Sequence, residues 1–91
     1  MAGRKGVILH ICGRVQGVGF RYYTNKKALE LDITGFVSNL PDGRVYIEAD
    51  GDPDQLEMFI NWCHAGPSWA RVTDVQRQDT PPNGFENFVT R

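Results

Sequence analysis

No part of this sequence is strongly basic: ten Lys and Arg stand against eleven Asp and Glu, for a formal charge of -1. There is no tract able to neutralise a run of phosphates, so charge gives no support to a nucleic-acid partner. Long apolar runs are missing as well. The longest early one, Val7 to Cys12, falls far short of a membrane span and lacks the length and cleavage pattern of a signal peptide. No membrane partner is expected, and the cytoplasm is the expected compartment. Cysteine is scarce, and Cys12 and Cys63 can neither build a disulfide framework nor offer metal-ligand spacing. Internal repeats and low-complexity segments are absent, which argues against disorder.

What remains is an ordinary globular composition, 41% apolar and 23% charged over 91 residues. That length supports one core and is too short for two, so the expectation is a single domain over residues 1–91, with 1–6 as a flexible N-terminus. Nothing suggests more than a monomer.

Val7, Leu9 and Ile11 alternate with Ile8, His10 and Cys12, the period of a strand with one buried face. From Phe20 to Asp32, Phe20, Thr24, Ala28 and Leu31 fall on one side of a helix, with Lys26, Lys27 and Glu30 more outward. Ile33 to Asn39 and Arg44 to Asp50 read as a hairpin across Leu40-Pro41-Asp42-Gly43, where Pro presets one turn dihedral and Gly admits a left-handed one. Asp52 is placed to cap a second helix with Pro53 first, Gln55 three residues on, and an apolar stripe of Leu56, Phe59, Ile60 and Cys63. Gly66-Pro67 stops it. Ala70 to Gln78 is a further strand in which Val72 and Val75 are out of phase, the mark of a bulge or a partly covered face. Phe85 to Thr90 follows a Pro-rich loop as a short last strand.

The order is βαββαβ plus a small terminal strand: an α+β, ferredoxin-like sandwich with two helices on one face of an antiparallel sheet. In that topology the first two strands run the same way with the third between them. Gly13 and Asn39 then share one sheet edge, roughly 10 Å apart.

The stretch Gly13-Arg14-Val15-Gln16-Gly17-Val18-Gly19-Phe20-Arg21 leaves a strand and opens a helix. Successive N–H groups there can converge on an anion near the positive helix end, glycines permit the close approach, and Arg21 offers a planar cationic fork. It lacks the Lys and Ser or Thr of a nucleotide loop, and Tyr22 stands where a dinucleotide fingerprint wants glycine, so ATP and NAD are disfavoured. A tight turn with a surface arginine would satisfy the same glycines, and spacing alone leaves the choice open.

The whole of that stretch resembles the signature of the acylphosphatase family. Gly35-Phe36-Val37-Ser38-Asn39-Leu40-Pro41-Asp42-Gly43-Arg44-Val45 with Gly51 resembles the family's second signature. The similarity extends to Gly66-Pro67, Ala70-Arg71-Val72 and Phe88-Val89-Thr90-Arg91. The resemblance implies hydrolysis of carboxyl-phosphate anhydrides to carboxylate and inorganic phosphate, without metal or other cofactor. It implies Arg21 and Asn39 as catalytic residues, with Asn39 positioning water, and the backbone of Gln16, Gly17, Val18, Gly19 and Phe20 as the phosphate-binding cradle. A substrate phosphate oxygen is implied as the acceptor of the water's proton. Ser38 departs from the family's usual basic residue, and alternation along the strand turns it away from Asn39.

Other residue clusters carry weaker signals. Asp50, Asp52 and Asp54 imitate the start of a calcium loop, but Gln55 and Asn61 occupy positions that need glycine and glutamate; a solvated turn and helix cap is expected instead. Trp62, Trp69, Tyr22 and Tyr23 are expected to fill the core or its rim rather than a substrate pocket. Two other functions share this fold: a non-catalytic binding or regulatory domain, disfavoured by the presence of both Arg21 and Asn39, and an RNA-binding module, disfavoured by charge and by Arg44 to Glu48 lacking the stacking aromatics.

Overall fold

The computed structural model describes residues 3–91. Its elements are β1 (Lys5–Arg14), α1 (Phe20–Glu30), β2 (Thr34–Asn39), β3 (Val45–Gly51), α2 (Pro53–Ala65), β4 (Arg71–Thr80) and β5 (Phe88–Thr90). The strands form one sheet in the order β4-β1-β3-β2-β5. Lys5 and Gly6, expected in a flexible N-terminus, instead pair with Gly51 and Asp50 as the start of β1; Met1 and Ala2 lie outside the described residues.

Alternation sets the core. Val7, Leu9 and Ile11 are fully buried, as are Val45, Ile47 and Ala49 across the ladder and Val37 on β2. They form one cluster with Phe20 and Ala28 of α1 and Leu56, Phe59, Ile60 and Cys63 of α2, so both helices cover the same face. Each large side chain so buried is worth about 2 kcal/mol of removed apolar surface. α1 ends two residues before Asp32: Leu31 and Ile33 donate back to Ala28, and Asp32 takes a positive φ of 54°.

The mismatch between Val72 and Val75 is a bulge. Cys12 pairs with Asp74 and Gly13 with Val72, leaving Thr73 extra, and this brings both valines against the core. Gly13 is required at that point. Its φ is 122°, and a Cβ there would lie 2.1 Å from the Arg71 carbonyl oxygen.

β5 pairs parallel to β2, whereas the other pairings are antiparallel, so the sheet is mixed. The last strand follows a Pro-containing loop held by Asp50. That carboxylate is 1% exposed and accepts hydrogen bonds from the backbone N–H groups of Asn83, Gly84 and Phe85. Asp50 is therefore no part of a solvated turn: successive amides supply the polar partners that water would otherwise give. Asp52 stands at the helix cap position with Pro53 following, but among the described residues its side chain makes no capping hydrogen bond.

β1 and β2 are each antiparallel to β3 and so run the same way. Their ends, Arg14 and Asn39, reach the same edge of the sheet, and Arg71 at the start of β4 pairs with Arg14 there. That edge carries the candidate site.

Candidate active site

The loop from Val15 to Gly19 bridges the end of β1 and the start of α1. Gly19 occupies the cap position with φ 80°, and the amide of Tyr23 donates to its carbonyl at 3.1 Å. Gly17 is also left-handed, at φ 72°, and among the described residues nothing stands within 4 Å of where its Cβ would be. Two left-handed turns let the backbone curl in front of the helix N-terminus, where the macrodipole is positive.

A cavity of about 320 Å³ lies in this curl, and Gly17, Gly19, Phe20, Arg21 and Asn39 all line it. Five of the seven site residues expected from sequence thus surround one space. The side chains of Gln16 and Val18 go elsewhere. Val18 packs against the core. Gln16 donates its side-chain N–H groups to the carbonyls of Leu40 at 2.7 Å and Arg44 at 3.0 Å. It is a strut between the glycine loop and the hairpin that carries Asn39.

Asn39 ends β2 opposite Val45 and shares a strand face with buried Val37, while Ser38 lies on the other face opposite Tyr46. The turn beyond it is closed by the Leu40 and Gly43 amides, which donate to Arg44 and Leu40 carbonyls. Asp42 holds the Arg44 amide and guanidinium, and these contacts, led by the backbone amide, lower its carboxyl below the usual range. The turn is therefore well braced behind Asn39.

Arg21 is braced from an unexpected direction. Its Nη1 donates to the Arg91 main-chain oxygen at 2.7 Å. Arg91 in turn donates its amide to Val37 at 2.8 Å, and its guanidinium lies 3.8 Å from the centre of the Phe36 ring. Asn25 of α1 donates to the Phe88 carbonyl and the Thr90 hydroxyl, tying the helix to β5. Thr90 and Tyr22 also line the cavity, and neither was expected there. No local pattern announces a contact between residues 70 positions apart.

Among the described residues, no His, Asp or Glu lines this cavity. A guanidinium, a carboxamide and curled backbone amides suit anion binding and water placement rather than proton abstraction. Cys63 offers no nucleophile, since complete burial pushes its thiol well above the ordinary range. Among the described residues, no helix is long and apolar enough to cross a membrane.

The family model described as acylphosphatase matches residues 7–90. A protein named acylphosphatase from Thermococcus kodakarensis is 49% identical over 80 residues, covering 88% of each chain. One of the same name from Marinobacter nauticus is 52% identical over 83 residues, 90% of each. The crystal structure of acylphosphatase from Bacillus subtilis superposes with a TM-score of 0.93 at 33% identity, across 96% of this chain and 98% of that one. The similarity spans both the glycine loop and the Asn39 hairpin, and the chain belongs to the acylphosphatase family.

Proposed function

We propose that this protein hydrolyses acyl phosphates to a carboxylate and inorganic phosphate, with the phosphoryl group held by Arg21 and the backbone from Gln16 to Phe20, and with water held by Asn39. The observation that carries this reading is the convergence of Arg21, the curled glycines and Asn39 on one cavity. A carboxylate is a good leaving group, so positioning and charge stabilisation suffice without a strong general acid.

The guanidinium fork and amides take the charge that spreads over the phosphoryl oxygens during in-line displacement. Arg21 keeps an Nη on the Arg91 main-chain oxygen, which orients it before substrate arrives. Asn39 accepts from the water and orients it against phosphorus, but a carboxamide does not titrate usefully and cannot take the proton. A substrate phosphate oxygen is the natural acceptor. The new P–O bond forms as the P–O bond to the acyl group breaks, and the carboxylate leaves with the bonding pair.

Steady-state kinetics of Arg21→Ala and Asn39→Ala test the division of labour. Arg21→Ala should raise KM and lower kcat, while Asn39→Ala should lower kcat by about a hundredfold or more with KM little changed. Equal losses of phosphate affinity in both variants would overturn it.

A further inference from the structure

A second cavity, of about 330 Å³, is lined by Tyr23, Trp62, Gly66, Pro67, Ser68 and Trp69. It meets the first at Gly19. Gly19 lines the first cavity, and two ring carbons of Tyr23, which lines the second, lie 3.4 and 3.6 Å from where a Gly19 Cβ would stand. Tyr22, in the wall of the first, packs edge-on against Tyr23 with ring centres 5.0 Å apart, and Trp62 packs on Phe20 at 5.6 Å. Aromatic side chains therefore reach from the glycine loop to the cavity that Trp69 also lines.

Core packing accounts for Trp62, which lies against the core cluster, but not for the other three. Trp69 is 79% exposed, Tyr22 61% and Tyr23 45%, and none of them belongs to the core cluster. Large apolar side chains gathered beside a polar cavity mark a place where something apolar docks. Among the described residues, none that lines the second cavity is charged.

Its position relative to Asn39 identifies the occupant. The glycine loop grows from β1, which lies between β4 and β3 in the sheet, with β2 beyond β3. Asn39 stands at the end of β2, whereas Gly66 to Trp69 lead into β4, so in the sheet they stand on opposite sides of the strand from which the loop grows. In-line displacement sends the leaving group away from the attacking water. With water on the Asn39 side, the carboxylate departs on the aromatic side.

We infer that the Tyr23, Trp62 and Trp69 cavity binds the acyl group, and that it selects uncharged aromatic acyl phosphates over short aliphatic ones. This rests on the hydrolytic reading above. The cavity takes no part in bond-making: it holds the ring while the acyl oxygen leaves phosphorus with its electron pair. Trp69 is a specificity residue, and its exposure allows it to be removed without cost to the core.

The test compares benzoyl phosphate with acetyl phosphate, and the non-hydrolysable methylene analogues benzoylmethylphosphonate and acetonylphosphonate, on the full chain and on Trp69→Ala and Trp69→Phe. Trp69→Ala should reduce the benzoyl-to-acetyl ratio of kcat/KM by about three- to tenfold, mainly through KM, and Trp69→Phe should restore most of it. Binding of the two phosphonates by calorimetry should show the same loss of preference. If the protein hydrolyses neither acyl phosphate yet still prefers the benzoyl phosphonate through Trp69, the hydrolytic reading fails and the apolar cavity stands. If both acyl phosphates are cleaved with a ratio that Trp69→Ala leaves unchanged, the cavity is not the acyl site.

Discussion

Replacing Asp50 by Ala removes an acceptor that organises the loop leading to β5. Its carboxylate, 1% exposed, takes the amides of Asn83 at 2.9 Å, Gly84 at 2.8 Å and Phe85 at 3.3 Å. A hydrogen bond to a charged acceptor is worth about 1.5–3 kcal/mol net, and several to one group do not add in full. Asn83 and Gly84 are themselves exposed, so their freed amides can turn to water. The expected loss is therefore about 2 kcal/mol, close to that of a single charge-assisted bond. For a chain of this size that lowers Tm by about 10 °C. Asp50→Asn keeps one acceptor oxygen and should cost about half as much. Urea unfolding with an unchanged m-value is the assay. A loss below about 0.5 kcal/mol, the size of an ordinary surface substitution, would show that the loop is held by something other than this carboxylate.

Gly13→Ala should destabilise by about 3 kcal/mol or more, because a Cβ would meet the Arg71 carbonyl at 2.1 Å and φ is 122°; wild-type-like urea unfolding would refute the bulge geometry. Arg21→Lys should lose most of the activity, since a point charge replaces a planar fork, and near-normal kcat/KM would refute bidentate phosphate binding. Tyr46 is raised to about 12, first by burial and then by its hydrogen bond to Glu48. The unfolded chain ionises this phenol at lower pH, so its contribution is intact below about pH 10 and is lost as pH climbs toward 12. Tyr46→Phe should flatten that part of the stability profile and remove the step near pH 12 from the near-ultraviolet phenol titration; an unchanged titration would refute the assignment.

Much of the architecture was legible because it rests on local periodicity. The alternation around Leu9 fixed which face of β1 is buried, and Leu56, Phe59, Ile60 and Cys63 mark the inner face of α2. The phase slip between Val72 and Val75 left a bulge and a partly covered face both open, and the register of β4 against β1 shows the bulge. The parts that were not legible are long-range and polar. An aspartate beside two others reads as solvated until the chain returns 33 positions later to lay Asn83 on it. The role of Gln16 as a strut depends on which carbonyls the hairpin leaves free, and Arg21 is oriented by a main-chain oxygen, which no side-chain pattern encodes. The aromatic residues followed the same logic. Composition favours placing Tyr22, Tyr23 and Trp69 in or over the core, and it takes the ends of α2 and β4 to show that they stand beside the glycine loop.

Hydrolysis of benzoyl phosphate in water enriched in heavy oxygen tests the central claim most directly, because the label records which atom the water attacks. Attack on phosphorus by a water held at Asn39 predicts the label in inorganic phosphate and none in benzoate, with turnover abolished in Arg21→Ala. Label in the benzoate would mean that water reaches the carbonyl carbon instead, and would contradict the placement of the phosphoryl group between Arg21 and Asn39.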